Sequence, residues 1–182
     1  SPQLYDNKLW ETSGHIEAFK DDMFTLKIDK RDYAIKPMNC PGHMLMYKST
    51  LRSYKDLPLR LADFSPLHRN ELKGVLGGLT RVRKMCQDDA HIFVAPEQLE
   101  SELNKVLDFI HYIYKDIFNF TYSINFSTKP DKAIGDPKLW AKAETALKSV
   151  LTKKKIKFEL KEGEGAFYGP KIDVDIKDSL GR

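Results

Sequence analysis

The sequence predicts an α+β fold in which an antiparallel β-sheet is flanked by helices. Three observations lead there. Short runs alternate apolar and polar residues, as at Ile172, Val174 and Ile176 against Asp173, Asp175 and Lys177, which is the period of half-buried strands. Several of these runs are joined in pairs by polar or glycine-containing turns, a hairpin signal. Two long segments have helical spacing, so strands and helices do not alternate as they would in a parallel doubly wound fold.

The elements follow in order. Leu4 to Phe19 has helix-turn character, interrupted at Ser13-Gly14-His15. Met23 to Ile28 and Tyr33 to Met38 alternate on either side of Asp29-Lys30-Arg31-Asp32 and read as a hairpin. Pro41 and Gly42 restrict and then free the backbone, and His43 to Arg52 resumes as helix. Leu57 to Phe64 and Leu67 to Glu71 are short strands, and Ala90 to Val94 is an apolar run. Thr80 to Cys86 alternates, and with Gly74, Gly77 and Gly78 before it forms a hairpin with a long tip.

Leu99, Leu103, Val106, Ile110, Ile113 and Ile117 recur at three and four residues, the clearest amphipathic helix, and Pro96 suits its first turn. Tyr122 to Phe126 is a strand. Leu139, Ala143, Leu147 and Val150 mark a second helix opened by Asp136-Pro137, and Lys157 to Leu160 precedes the final strand.

Composition bounds the function. The 182 residues are 41% hydrophobic and 31% charged, ordinary for a globular protein, with a net charge of +4. That excess is compatible with a polyanionic partner. No apolar run approaches the roughly 20 residues of a membrane span, and no signal peptide opens the chain. Cys40 and Cys86 do not make a disulfide framework. Neither Ser1-Pro2 nor Leu180-Gly181-Arg182 reads as a natural terminus, so the expectation is a piece of a longer protein.

The densest polar cluster is the long hairpin, with His68, Arg69, Glu71, Arg81, Arg83, Lys84, Gln87, Asp88, Asp89 and His91. Strand periodicity puts Arg69 and Glu71 on one face, and Arg81, Arg83 and Met85 on one face. Two readings fit. The charges pair on a solvated strand surface, or Arg69 and Arg81 clamp a phosphate under a glycine-rich loop while Glu71 accepts from an exocyclic amine. No GxxxxGK[ST] occurs, so a P-loop is excluded, and no CxxC or HxxxH makes a zinc finger. The stretch from Gly163 to Lys171, with Gly165, Gly169 and Tyr168, is either a strand-connecting loop or a close backbone approach to a ligand.

Five blocks together decide between these readings. They are Met38-Asn39-Cys40-Pro41-Gly42-His43, Leu67-His68-Arg69-Asn70-Glu71, Arg81-Val82-Arg83, Gln87-Asp88-Asp89-Ala90-His91-Ile92-Phe93 and Gly165-Ala166-Phe167-Tyr168-Gly169-Pro170-Lys171. In order and spacing they resemble the threonyl-tRNA synthetases, a family of class II aminoacyl-tRNA synthetases, across essentially the whole chain. The resemblance implies that residues 1–182 are a partial class II catalytic domain. It would run from the end of motif 1 through motif 2 and the GAFYGPK loop, with motif 3 and an anticodon-binding domain outside it.

The resemblance also implies roles. Arg69 would hold the ATP α-phosphate and the attacking carboxylate, Glu71 would read the adenine amine, and Arg81 would reach the distal phosphates. Met85 stands where the family usually has a phenylalanine stacked on adenine, a departure that touches ATP affinity rather than reaction type. Met38, Gln87, Asp89, Tyr168 and Lys171 would line the threonine and adenylate pocket, with Asp89 facing the amino group. Cys40 and His91 would be two of three protein ligands for Zn²⁺, the third a histidine beyond the chain end, so the metal is expected to be absent or partly occupied in residues 1–182. Mg²⁺ would accompany ATP. The implied partners are threonine, ATP and tRNA(Thr), with a homodimer for the full-length protein, no membrane, and a location in cytoplasm or mitochondrial matrix. A non-catalytic synthetase-like module and a class II synthetase of another specificity are the competing readings.

Overall fold

A computed structural model describes residues 1–177, 180 and 181, and its contacts group into two compact units, Ser1–Phe93 and Val94–Arg182. In the first unit, β1 (Leu4–Asp6), β2 (Thr25–Ile28) and β3 (Arg31–Ile35) form an antiparallel sheet in the order β1-β3-β2. The expected hairpin is tighter than its sequence suggests. Asp29 and Lys30 alone make the turn, both at positive φ (48° and 65°), the backbone twist that two-residue hairpin loops require. Helices α1 (Asn7–Thr12) and α2 (His15–Phe19) fill the gap before β2, and Asp6 caps α1 by accepting from the Lys8 amide. Trp10, Met23 and Ala34 are the buried centre of this layer.

Helix α3 (Cys40–Lys48) follows β3, with proline in its first turn. Strand β4 (Leu59–Asp63) pairs antiparallel with a later strand, Asp89–Phe93. Between them β5 (Leu67–His68) and β6 (Lys84–Met85) pair antiparallel, so the latter run Asp89–Phe93 is β7. The expected long strand over Thr80 to Cys86 is therefore only two residues of ladder. Beyond it the Arg83 carbonyl accepts from the Arg69 amide, Arg83 Nε donates to the Glu71 carbonyl at 3.0 Å, and the tip closes by a bridge between Gly77 and Arg81.

Lys36 joins these layers. Its amide donates to the Gln3 carbonyl at 2.9 Å, and its carbonyl accepts from the His68 amide at 3.1 Å. The sheet led by β3 and the hairpin β5–β6 are thereby tied at one residue.

The second unit begins with a short 3₁₀ turn at Pro96–Gln98, so Pro96 precedes the helix rather than opening it. Helix α4 (Leu99–His111) follows and widens into a π turn at Tyr112–Ile117. Strand β8 (Tyr122–Ser127), α5 (Pro137–Lys153), β9 (Glu159–Lys161) and β10 (Lys171–Ile176) complete the unit. Asp136 caps α5 by accepting from the Lys138 amide at 2.8 Å. The sheet order is β10-β8-β9, with β10–β8 antiparallel and β8–β9 parallel. That parallel pair departs from an all-antiparallel expectation. A strand that re-enters the same sheet after a long helix returns in the same direction, and α5 is that crossover. Leu107, Ile124, Phe126, Val150 and Leu151 form the buried core between sheet and helices.

The Gly165 loop is set by one close approach. Its amide donates to the Thr128 carbonyl at 2.7 Å, and a Cβ on Gly165 would lie 2.5 Å from that same oxygen. Gly165→Ala is expected to lower stability by about 1–3 kcal/mol, because backbone atoms must move to admit the methyl group. Gly74→Ala, which meets no atom within 4 Å, is expected to be neutral or stabilising by at most about 1 kcal/mol. Urea unfolding midpoints of the two variants check this, and equal midpoints would refute the close approach.

Candidate active site

The first unit gathers most of the expected residues. The Arg69 amide extends the β5–β6 ladder by donating to the Arg83 carbonyl at 2.8 Å, and Arg69 Nε donates to the Pro37 carbonyl at 3.3 Å. Arg69 is thus anchored one residue beyond Lys36. Glu71 and Arg81 are not free: Arg81 Nη2 and Nε donate to Glu71 Oε2 at 3.1 Å and 3.2 Å. Arg81 is 58% exposed and Glu71 14%, so the pair is open on the arginine side and contributes at most about 1 kcal/mol. Met85 is half-buried opposite Leu67 in the ladder.

A second group lies where α3 meets β7. Burial pushes the Cys40 thiol up to about 11, with the Asp89 carboxylate adding to the rise and the Arg69 guanidinium opposing it. Cys40, Asp89 and Arg69 therefore share one electrostatic neighbourhood. Asp89 Oδ1 lies 4.0 Å from His91 Nδ1, and His91 Nδ1 is 2.6 Å from His43 Nδ1. Burial pushes the His91 imidazole below its ordinary value. The Asp89 carboxylate opposes that shift and His43 reinforces it. Met38 is half-buried beside this group in sequence, and Gln87 is exposed.

The remaining expected residues belong to the second unit. Tyr168 is exposed and stacks edge-on against Phe167, with ring centroids 4.9 Å apart. Lys171 Nζ pairs with Asp173 Oδ2 at 2.8 Å. A polar cleft of about 690 Å³ in this unit is lined by Thr128, Lys129, Asp131, Glu144, Glu162 and Gly163, none of them an expected site residue.

Four polar residues escaped the sequence reading. Lys36, Asn39, His43 and Asp63 are buried around Asp89 and His91. Lys36 Nζ donates to Ser1 Oγ, Asn39 Oδ1 and Ser65 Oγ, each at 2.6 Å, which uses all three ammonium hydrogens. Asp63 Oδ2 lies 3.6 Å from Lys36 Nζ and 3.7 Å from His43 Nε2. Burial pushes the Asp63 carboxyl up, but hydrogen bonds from Ser1 and Ser65 outweigh it and hold the group well below the usual carboxylate range. Asn39 Nδ2 donates to Asp89 Oδ2 at 3.0 Å. The available signal was a lysine ending an alternating strand three residues before an asparagine within one motif block.

A thiol and an imidazole are the donor types zinc prefers, and Cys40 and His91 both stand within reach of Asp89. They fit such an ion chemically. Among the described residues no group of three His, Cys, Asp or Glu is arranged to complete its shell.

Comparison with known proteins narrows the reading. The tRNA synthetase class II core domain (G, H, P, S and T) matches residues 24–182. The chain belongs to this family. It is 54% identical over its whole length to a probable cytoplasmic threonine–tRNA ligase 2 of Dictyostelium discoideum. It is 52% identical, again over its whole length, to a mitochondrial threonine–tRNA ligase 1 of Arabidopsis thaliana. The chain spans 26% of the length of each. A solved structure titled as the RNA binding domain of threonyl-tRNA synthetase from Cryptosporidium parvum Iowa II superposes with a TM-score of 0.89 at 49% identity. That match covers 100% of this chain and 45% of the other. Among the described residues no helix is long and apolar enough to cross a membrane.

The burial of Cys40 against the exposure of Cys86 gives a chemical test. The thiolate is the nucleophile, and a thiol pushed up to about 11 is almost wholly protonated at neutral pH. With chelator present at pH 7.5, iodoacetamide is expected to label Cys86 first and Cys40 at least about tenfold more slowly. Peptide mass spectrometry reads the ratio, and equal labelling would contradict the placement of Cys40.

Proposed function

We propose that the chain is part of the catalytic core of a threonine–tRNA ligase, which activates threonine with ATP and transfers it to tRNA(Thr). The observation that supports it most is the convergence of Arg69, Cys40 and Asp89 in one neighbourhood. A cation for phosphate and carboxylate stands there beside an anion for an ammonium group and a soft metal donor. Whole-length identity of about half to threonine–tRNA ligases points to the same substrate.

Each residue then has a task. Arg69, fixed by the Pro37 carbonyl and the Arg83 ladder bond, holds the α-phosphate and the substrate carboxylate in line for attack. No protein nucleophile is needed, because positioning and charge neutralisation lower the barrier. Glu71 reads the adenine amine once Arg81 leaves it for the distal phosphates, an exchange eased by the exposure of Arg81. Met85 covers the base with a thioether in place of a ring. Asp89 faces the substrate amino group. Met38 and Gln87 flank the amino acid. Tyr168 and Lys171 are assigned to the amino acid and adenylate on the strength of their matched block alone. Mg²⁺ enters with ATP.

Cys40 and His91 would hold zinc with a histidine from beyond residue 182. Such an ion would supply a Lewis-acid centre for threonine's amine and hydroxyl, which valine, lacking the hydroxyl, would satisfy only in part. The similarity to cytoplasmic and mitochondrial ligases is consistent with either compartment. A homodimer is proposed for the full-length protein.

Threonine-dependent pyrophosphate exchange tests the reading. The full-length protein is expected to exchange with threonine and not with valine, and residues 1–182 alone are expected to be inactive. Exchange with another amino acid, or none, would overturn it.

A further inference from the structure

Asp63 on β4 and Asp89 on β7 are direct partners across the antiparallel ladder. Like charges at such a position destabilise a sheet. The structure treats the two carboxylates differently. Asp63 has the Lys36 ammonium at 3.6 Å and accepts from Ser65 Oγ and from the Ser65 amide, the latter at 2.9 Å. Asp89 accepts from a neutral donor, Asn39 Nδ2, at 3.0 Å.

The Asn39 amide joins these two halves, and its direction is fixed chemically. An ammonium group has hydrogens to give and no lone pair to receive one. The amide oxygen must therefore face Lys36, at 2.6 Å, which turns the NH₂ toward Asp89. Asn39 and Lys36 are each 1% exposed, so water does not compete for these positions. The lysine charge is spent on Asp63, one link away from Asp89.

We infer that Lys36 and Asn39 are positioning residues for amino acid binding. Lys36 orients the Asn39 amide, and Asn39 holds Asp89 Oδ2 in place, which leaves Asp89 Oδ1 to accept from the bound amino acid. This rests on the amino-acid-activating reading of the site.

The experiment uses the full-length protein with Lys36→Met, Asn39→Leu and the double variant, each checked for folding by thermal melting. Threonine KM, ATP KM and kcat are measured in pyrophosphate exchange. Asn39→Leu is expected to raise the threonine KM about tenfold or more, the effect of unmaking one hydrogen bond to a charged group. ATP KM should stay within about twofold. Lys36→Met should move the threonine KM in the same direction. The double variant should be no worse than the poorer single variant, because both act through one contact. If Lys36→Met does not fold, Asn39→Leu and Asn39→Gln carry the comparison, with Gln expected to restore part of the loss. Independent losses that add, or equal changes in threonine and ATP KM, would reduce the network to a general structural role and overturn the inference.

A crystal structure of Asn39→Leu separates this failure from failure of the functional reading. The Asp89 carboxylate is expected to leave its wild-type position, whatever amino acid the enzyme prefers. If it stays in place, the relay is wrong even where threonine exchange is robust. If it moves but the wild-type protein exchanges with another amino acid, the relay stands and the threonine assignment falls.

Discussion

Taking an ammonium group out of water costs several kcal/mol unless its hydrogens and its charge are both matched. Lys36 is buried to 1% exposure, and much of the first unit follows from meeting that demand. Three oxygens from Ser1, Asn39 and Ser65 take its hydrogens, and Asp63 supplies the counter-charge. Those partners come from three separate places in the chain, so the network forms only when the chain start, the start of α3 and the end of β4 are assembled together. The backbone of the same residue bonds to Gln3 and His68. One position thus ties chain start, central strand and the β5–β6 hairpin, and the candidate site residues inherit their placement from it.

Order falls away with distance from that point. Arg69 is braced by two backbone carbonyl contacts, through its side chain to Pro37 and its amide to Arg83. Glu71 is mostly buried and Arg81 mostly exposed, and the tip beyond them carries Leu72 and Leu79 with 75% and 97% of their surface open. Few buried contacts restrain such a segment, so it opens at low free energy. The hairpin thus carries a braced arginine, Arg69, at its base and a weakly held one, Arg81, near its tip.

The sequence made the element types legible where periodicity was long or turns were sharp. Leu99 to Ile117 and the Asp136-Pro137 helix start are read from spacing and capping alone. The α+β class followed from paired strands. Partner choice was less legible: alternation in β8 and β9 shows two strands and says nothing of their direction, which the α5 crossover decides. Boundaries failed where side chains replace the ladder, as with Arg83 on the Glu71 carbonyl. At the site, charged residues in a polar hairpin were visible because strands sort them by face. Lys36, Asn39, His43 and Asp63 were not, because a buried polar residue looks like an ordinary surface residue until its partners, up to tens of positions away, are known. The roles given to Arg69, Glu71, Cys40, Asp89 and His91 came from family resemblance, and the geometry adds the Asn39 bond that holds Asp89 in place.

The most direct measurement is a crystal structure of the full-length protein with threonine bound. The substrate amino group is expected within about 3 Å of an Asp89 oxygen, with Asn39 still donating to Oδ2. An amino group held elsewhere, with Asp89 bonded only to protein or facing the substrate carboxylate, would contradict the placement on which the whole reading of this site depends.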